Sequence, residues 1–354
     1  MYFFVTPTAP FDGYLYFSVP TENSRKQMED EIFHICFENL PQMYGDIEGA
    51  KELLEQELSL MRKTKTALHF MVLKEVAILS EKEDFPLVLF GGASGAMISY
   101  LLGITPIRPL PQEMNCFDGE TGYSFIPELI WGDFETPTKP DFSIQIASSL
   151  HSKIQSALDK AFGYLDSEKD LYHQISLARG FPCEELGFLR KRTKEKGRKL
   201  LFQEDVFREA TKFFRTKKDP KEKELNWDFQ TFVKFCGYNC GSFLRRKNID
   251  DILAADFYPL RDDLFLALKN CRFTTEEALF LSKQGLWRKS EKKEQYLKQL
   301  AEHNAPEHLI QFFRETTHLW PSYGCTGRIM AYLEYAHFEV FYPELIEEME
   351  RNNL

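Results

Sequence analysis

The sequence predicts an α+β fold, in which a small mixed sheet with flanking helices is followed by a mainly α-helical half. Three segments between residues 25 and 79 repeat apolar side chains at helical spacing. The apolar runs at 86–90 and 142–146 are typical of short strands. After residue 226, helix-start patterns and short turns alternate closely. With 354 residues and 43% hydrophobic composition, the chain is long enough for two or three domains.

The first part of the chain is predicted to begin with an N-terminal extension, residues 1–21, that contains a short strand at 14–19. Apolar periodicity then predicts helices, and the third of them is the most apolar and is expected to be buried. These helices span 25–40, 48–61, 67–79 and 148–162. A turn of small residues, Gly-Gly-Ala-Ser-Gly-Ala at 91–96, follows the strand at 86–90.

A basic segment separates the two halves. Residues 190–223 contain fourteen Lys or Arg and six Asp or Glu, whereas the whole chain carries a net charge of −10. Such a charge run is either a solvated face or linker, or a contact for a phosphate backbone. The candidate nucleic-acid-binding side chains are those at the start of the run: Arg190, Lys191, Arg192, Lys194, Lys196, Arg198 and Lys199.

Composition argues against several other classes of function. The net charge of −10 gives the chain as a whole no electrostatic reason to bind nucleic acid. The sequence has no run of about 18 apolar residues and no basic leader, so neither a membrane span nor a signal peptide is expected. Seven scattered cysteines suit a reducing cytoplasm. Cys236 and Cys240 form the only close pair, and without a second pair no metal site is predicted.

Several motifs occur in an order that is specific to one family. The small-residue turn is followed by Gly103-Ile104-Thr105 and then by Pro140-Asp141. The second half contains Arg261-Asp262-Asp263-Leu264 and the stretch from Trp320 to Pro343. Together these motifs resemble the palm and fingers regions of PolC-type bacterial DNA polymerases, the C-family alpha subunit of DNA polymerase III. The resemblance implies a palm-like domain at 22–163, a basic helical connector at 164–225 and a fingers-like helical domain at 226–354.

In that family, palm aspartates hold two Mg²⁺ ions for nucleotidyl transfer. On this sequence, the first aspartate matches Asp141, the second position holds Ser143, and the third has no match. A neutral hydroxyl cannot replace a carboxylate shared by two dications. The resemblance therefore implies a lost active site, without a cofactor, and Mg²⁺ would matter only if residual activity exists.

The resemblance also identifies a nucleotide- or phosphate-binding turn, which would use Gly91, Gly92, Ser94 and Gly95. Backbone N–H groups of such a turn can bind an anion. The family's arginine, however, maps to Phe90, and a tight packing corner is an equally good interpretation. The nucleotide-binding Lys and His of the family's fingers map to Ser322 and Gly324.

Three hypotheses follow for function. The first is a degenerate polymerase homologue without activity, which binds DNA through the basic connector or associates with the replisome. The second is a residual DNA polymerase that uses Asp141 with another carboxylate, such as Asp133 or Glu135. The third is a protein-interaction scaffold that pairs with an intact polymerase subunit.

Overall fold

Helices dominate the structure, a computed structural model of the chain, and short strands form three small sheets. The predicted mixed α+β class is confirmed. The described residues are 14–17, 22–47, 49–111, 122–162, 173–177, 183–193, 204–210, 229–243, 249–254, 256–286 and 293–351.

The first half contains five strands and six helices within the described ranges, and each predicted helix is present with slightly different ends. In chain order these are β1 (Tyr14–Phe17), α1 (Glu22–Tyr44), α2 (Ala50–Lys63), α3 (Ala67–Lys82), β2 (Val88–Phe90), α4 (Met97–Leu101), β3 (Arg108–Pro111), β4 (Gly122–Phe125), α5 (Pro127–Trp131), β5 (Ser143–Gln145) and α6 (His151–Phe162).

The second half is mainly helical where it is described, as the sequence predicts. The connector contains β6 (His173–Leu177), α7 (Cys183–Thr193) and α8 (Glu204–Ala210). The elements of the second half are α9 (Phe229–Cys240), β7 (Ser242–Phe243), α10 (Ile249–Leu253), α11 (Arg261–Asn270), α12 (Thr275–Phe280), α13 (Lys293–Glu302), α14 (Glu307–Glu315), β8 (Thr316–His318), α15 (Ser322–Phe341) and α16 (Pro343–Arg351).

The largest sheet is mixed and has four strands in the order β1-β6-β5-β2. Strand β6 pairs antiparallel with β1 and parallel with β5, and β5 pairs antiparallel with β2. The N-terminal extension therefore supplies an edge strand, and the connector supplies its neighbour. Leu15 and Phe17 of β1 are fully buried because alternate residues of a strand share one face. This burial fixes β1 to the core.

Two hydrophobic cores organise the packing. The first contains residues of α1–α4, the four-stranded sheet and helices α9, α15 and α16, and the second is formed largely by α11–α14. Helix α15 lies directly against β2, where an added Cβ at Gly327 would be 2.4 Å from the Leu89 carbonyl oxygen. The first core thus draws on both of the predicted halves.

The chain between residues 122 and 131 forms two further elements, strand β4 and helix α5. Strand β4 pairs with β3, and helix α5 begins with Pro127 in its first turn. Trp131 at the end of α5 is fully buried. Packing against the core therefore stabilises this segment. Within the described part of the chain, no helix is both long enough and apolar enough to cross a membrane.

Candidate functional site

The motif residues meet at one end of the four-stranded sheet. Strands β2 and β5 are antiparallel, so that Phe90 at the end of β2 lies opposite Ser143 at the start of β5. The chain that leaves β2 therefore passes the chain that enters β5, and Gly91 approaches Asp141. We define the candidate site as the turn Gly91–Gly95 together with Asp141 and Ser143.

Asp141 and Ser143 lie side by side, as strand alternation predicts. The Ser143 hydroxyl donates a hydrogen bond to Asp141 Oδ1 over 3.0 Å. Asp141 is exposed and Ser143 is partly exposed. A hydroxyl thus satisfies one oxygen of the carboxylate at the position where the resemblance implies a second carboxylate.

The other two candidate carboxylates take part in a local turn. Asp133 Oδ1 accepts a hydrogen bond of 2.9 Å from the Glu135 backbone N–H. Among the described residues, no group of three His, Cys, Asp or Glu side chains is placed to hold a metal ion. The donors at the candidate site, one carboxylate and one hydroxyl, do not fit a pair of Mg²⁺ ions, each of which takes near-octahedral oxygen ligands.

The turn wraps around the backbone of Asp141. Gly91 has φ +83°, and an added Cβ there would be 2.7 Å from the Asp141 carbonyl oxygen and 2.8 Å from its Oδ2. The Ala93 N–H donates to the same carbonyl oxygen over 3.0 Å. Both the positive φ and the close approach require glycine at position 91.

The interior of the turn is occupied by its own packing. Ser94 Oγ lies 2.8 Å from the Gly91 carbonyl oxygen and 2.7 Å from that of Tyr323, and its backbone N–H donates to Gly91 over 3.1 Å. Gly92, Ser94 and Gly95 are all buried. The geometry favours the packing-corner interpretation, and the phosphate contact stays a prediction.

Two residues beside the site are not indicated by any sequence motif. Lys139 Nζ lies 2.6 Å from His69 Nε2 of the buried helix α3, and 5.7 Å from the centre of the Phe142 ring. Burial lowers the pKa of Lys139, and the Asp141 carboxylate partly opposes that effect. The only sequence signal is a histidine within the apolar run at 67–73, and such a histidine usually marks a core position.

Glu57 of α2 is a fully buried carboxylate behind the turn. One oxygen accepts a hydrogen bond of 3.2 Å from the Ile98 N–H at the start of α4, whereas Oε1 has no hydrogen-bond partner among the described residues. Burial raises the pKa of Glu57 to about 7, against the lowering effect of the Ile98 and Met97 N–H groups. The carboxyl group links α2 to the chain that follows the turn.

Arg190 lies in an ion pair rather than on an open surface. Its guanidinium donates two hydrogen bonds to Glu334 of α15, one of them over 2.8 Å, and lies 3.9 Å from Glu81. The side chain is only 16% exposed. The donors of Arg190 are thus directed at carboxylates of the same chain, and the nucleic-acid contact of this residue stays a prediction.

The neighbouring basic side chains also have partners within the chain. Lys191 Nζ lies 4.0 Å from the centre of the Phe85 ring, and Arg192 donates to Glu348 of α16 over 2.8 Å. The basic residues of α7 thus form contacts with Phe85 and with helices α15 and α16. The remaining predicted contacts, Lys194, Lys196, Arg198 and Lys199, lie outside the described residues.

The Arg-Asp-Asp motif in the second half connects α11 to α15. Arg261 donates to the Leu319 carbonyl oxygen over 3.1 Å, and Asp262 accepts from the Ser322 N–H over 2.8 Å. Asp263 accepts from the Leu260 N–H over 3.0 Å and so caps its own helix. The motif therefore has a structural role here, and Ser322 is held by Asp262 at the start of α15.

No protein-family model matches the sequence, and a search of curated proteins returns no match. The assignment of function therefore depends on the residues at the sheet end and on their geometry.

Proposed function

We propose that the chain is a non-catalytic relative of the PolC-type polymerases, which acts as a nucleic-acid- or replisome-associated module. The observation that carries this proposal is the hydrogen bond from the Ser143 hydroxyl to Asp141 Oδ1. It leaves one carboxylate where nucleotidyl transfer needs a shared set. Loss of one electrostatic stabiliser typically costs about 10²–10³ in rate.

The proposal includes a palm-like role for the four-stranded sheet. It is supported by the meeting of Gly91 with Asp141, since the resemblance places the small-residue turn and the Pro-Asp motif in one polymerase site. Charged groups of the family are lost at the changed positions, as at Phe90 and Ser143, whereas the buried Ser94 of the turn persists.

Primer extension with Mg²⁺ or Mn²⁺ tests the loss of catalysis. We expect no extension by the wild-type chain or by Asp141→Ala. Extension by the wild type that disappears in Asp141→Ala would overturn the proposal and favour the residual-polymerase alternative, with the missing carboxylates supplied elsewhere.

A Ser143→Asp variant tests the proposed ancestry of the site independently of activity. It places two carboxylates side by side, which repel one another in the absence of a cation. We expect Mg²⁺ to raise the melting temperature of this variant and to leave that of Ser143→Asn unchanged, because only a paired carboxylate site gains binding energy on folding. Equal responses of both variants would count against a metal-site origin.

The nucleic-acid part of the proposal depends on Lys194, Lys196, Arg198 and Lys199. We expect primed DNA to bind weakly at low ionic strength, and substitution of all four by Gln to reduce the salt dependence of that binding. The matched control is Arg192→Gln, since Arg192 is paired with Glu348. Fluorescence anisotropy that detects no salt-sensitive binding would remove DNA from the proposal.

A protein-interaction scaffold is the second candidate function. It is favoured by the internal pairing of Arg190 and Arg192 and by the net charge of −10, both of which weaken the case for a polyanionic partner. An affinity pull-down from nuclease-treated lysate should then return one stoichiometric protein, with an intact polymerase subunit as the expected partner.

A further inference from the structure

The helical half contains a cleft far along the chain from the candidate site. Its volume is about 720 Å³, which lies within the range of about 300–1,000 Å³ typical of small-molecule sites. Helices α9, α10 and α11 form its sides, and the turn between α13 and α14 closes one end. The residues used below all line it: Lys234, Phe257, Tyr258, Asp263, Arg272 and His303.

Two cations from separate elements line this cleft. Lys234 projects from α9, and Arg272 follows the end of α11 with φ +65°. Neither side chain forms an ion pair with a carboxylate of the described residues. The residues that line the cleft include these two cations and a single carboxylate, Asp263.

The acidic residue of the cleft is already engaged. The Asp263 carboxylate accepts the Leu260 N–H over 3.0 Å, and burial together with the neighbouring Asp262 charge raises its pKa to about 7, against the opposite effect of Lys234. Its negative charge is therefore weakened near neutral pH. The charge of the cleft is thus dominated by Lys234 and Arg272.

Two aromatic side chains that line the cleft, Phe257 and Tyr258, both pack against Phe312. The Tyr258 hydroxyl and His308 Nε2 lie 3.0 Å apart, and the Tyr258 ring packs edge-on against Phe312 at a centroid distance of 5.1 Å. Phe257 also packs edge-on against Phe312, at 5.4 Å. Rings fixed in this way offer a flat apolar surface without losing side-chain entropy on binding.

The cleft also presents a defined hydrogen-bond acceptor. His303 Nδ1 lies 3.2 Å from the Cys271 carbonyl oxygen, and its ring stacks on Phe273 at 4.0 Å. A carbonyl oxygen only accepts, so Nδ1 is the donor in this contact, and the neutral tautomer that fits it has Nε2 as an acceptor. A ligand with an N–H or O–H group is therefore matched to this wall.

We propose that this cleft binds a small planar aromatic anion, in which a ring packs on Phe257 and Tyr258 while an acidic group is bound by Lys234 and Arg272. This function is independent of the polymerase resemblance and of the candidate site at the sheet end.

The test uses two fluorescent probes that differ in one group, with the full chain. The anionic probe is 8-anilinonaphthalene-1-sulfonate, and the neutral one is N-phenyl-1-naphthylamine, which lacks the sulfonate. We expect the anionic probe to bind once per chain, and Lys234→Gln or Arg272→Gly to weaken it by about 10-fold each. The neutral probe should bind more weakly and should not respond to either variant.

Control variants keep the test decisive. Lys269→Gln removes a cation on α11 that does not line the cleft, and Lys234→Arg keeps the charge, so both should bind like the wild type. Arg272→Gly is compatible with the positive φ and should fold. Equal affinity for the two probes, or an anionic probe indifferent to Lys234→Gln and Arg272→Gly, would overturn the proposal.

Discussion

The buried carboxyl group of Glu57 should make stability depend on pH in a direction opposite to that of most acidic residues. Its pKa rises from 4.5 to about 7 on folding because the group is fully buried. Between these values the folded chain holds a proton that the unfolded chain releases. The contribution of Glu57 to stability is therefore greatest below about pH 4.5, and it falls by about 3 kcal/mol as the pH rises to about 7.

Glu57→Gln removes the ionisation while keeping the shape, and its amide oxygen can still accept the Ile98 N–H. The measured quantity is the difference between the unfolding free energy of the wild type and that of the variant. We expect this difference to fall by about 3 kcal/mol between about pH 4.5 and 7.5. Urea unfolding followed by tryptophan fluorescence measures it. Any constant effect of the amide cancels from this trend.

The matched control is Glu55→Gln, an exposed carboxylate on the same helix, paired with Lys51 at 3.9 Å. We expect this variant to differ little from the wild type in stability over the same pH range, because the side chain is exposed. A difference between wild type and Glu57→Gln that stays constant over the same range would refute the reasoning from burial.

Two further predictions concern the packing of α15. Gly327→Ala should lower the unfolding free energy by about 1–3 kcal/mol, because the new methyl group would lie 2.4 Å from a β2 carbonyl oxygen. Gly324→Ala, whose nearest contact is a side chain at 3.3 Å, should have a smaller effect, and equal melting temperatures for the two variants would contradict the close approach. Arg190→Ala should cost about 3–5 kcal/mol because it leaves Glu334 buried without its partner. Arg192→Ala should lower the unfolding free energy by at most about 1 kcal/mol, since the Arg192–Glu348 pair is about half exposed. Urea denaturation of Arg190→Ala and Arg192→Ala measures the two effects.

Local structure was predictable wherever the signal lies within a few residues. Helix α3 begins with an apolar run, and that run is buried. At the start of α12, the Thr274 hydroxyl accepts a hydrogen bond from the Glu277 N–H, and the Thr274 N–H donates to the Glu277 carboxylate, which is a capping box. The adjacency of Asp141 and Ser143 follows from strand alternation. In these cases the spacing of residues along the chain sets the contact directly.

Contacts between distant segments were not predictable in the same way. Arg190 is basic in a basic run, and nothing near it in sequence indicates Glu334, its partner 144 residues away. Ser94 likewise contacts the carbonyl oxygen of Tyr323, 229 residues away. Composition alone therefore predicted an open basic surface for Arg190. In the structure, tertiary packing determines the partner of its guanidinium group, which is Glu334.

The contact of α15 with β2 affects the order in which the chain can fold. Leu89 and Gly327 are in contact although more than two hundred residues separate them in the sequence. The edge strand β1 likewise cannot pair with β6 until that later segment is present. Contacts of such sequence separation close large loops and form late, which slows folding. During synthesis, the apolar face of the sheet that α15 covers therefore stays exposed until α15 has been made. We expect a chaperone that binds exposed apolar surface to bind the chain most strongly at that stage.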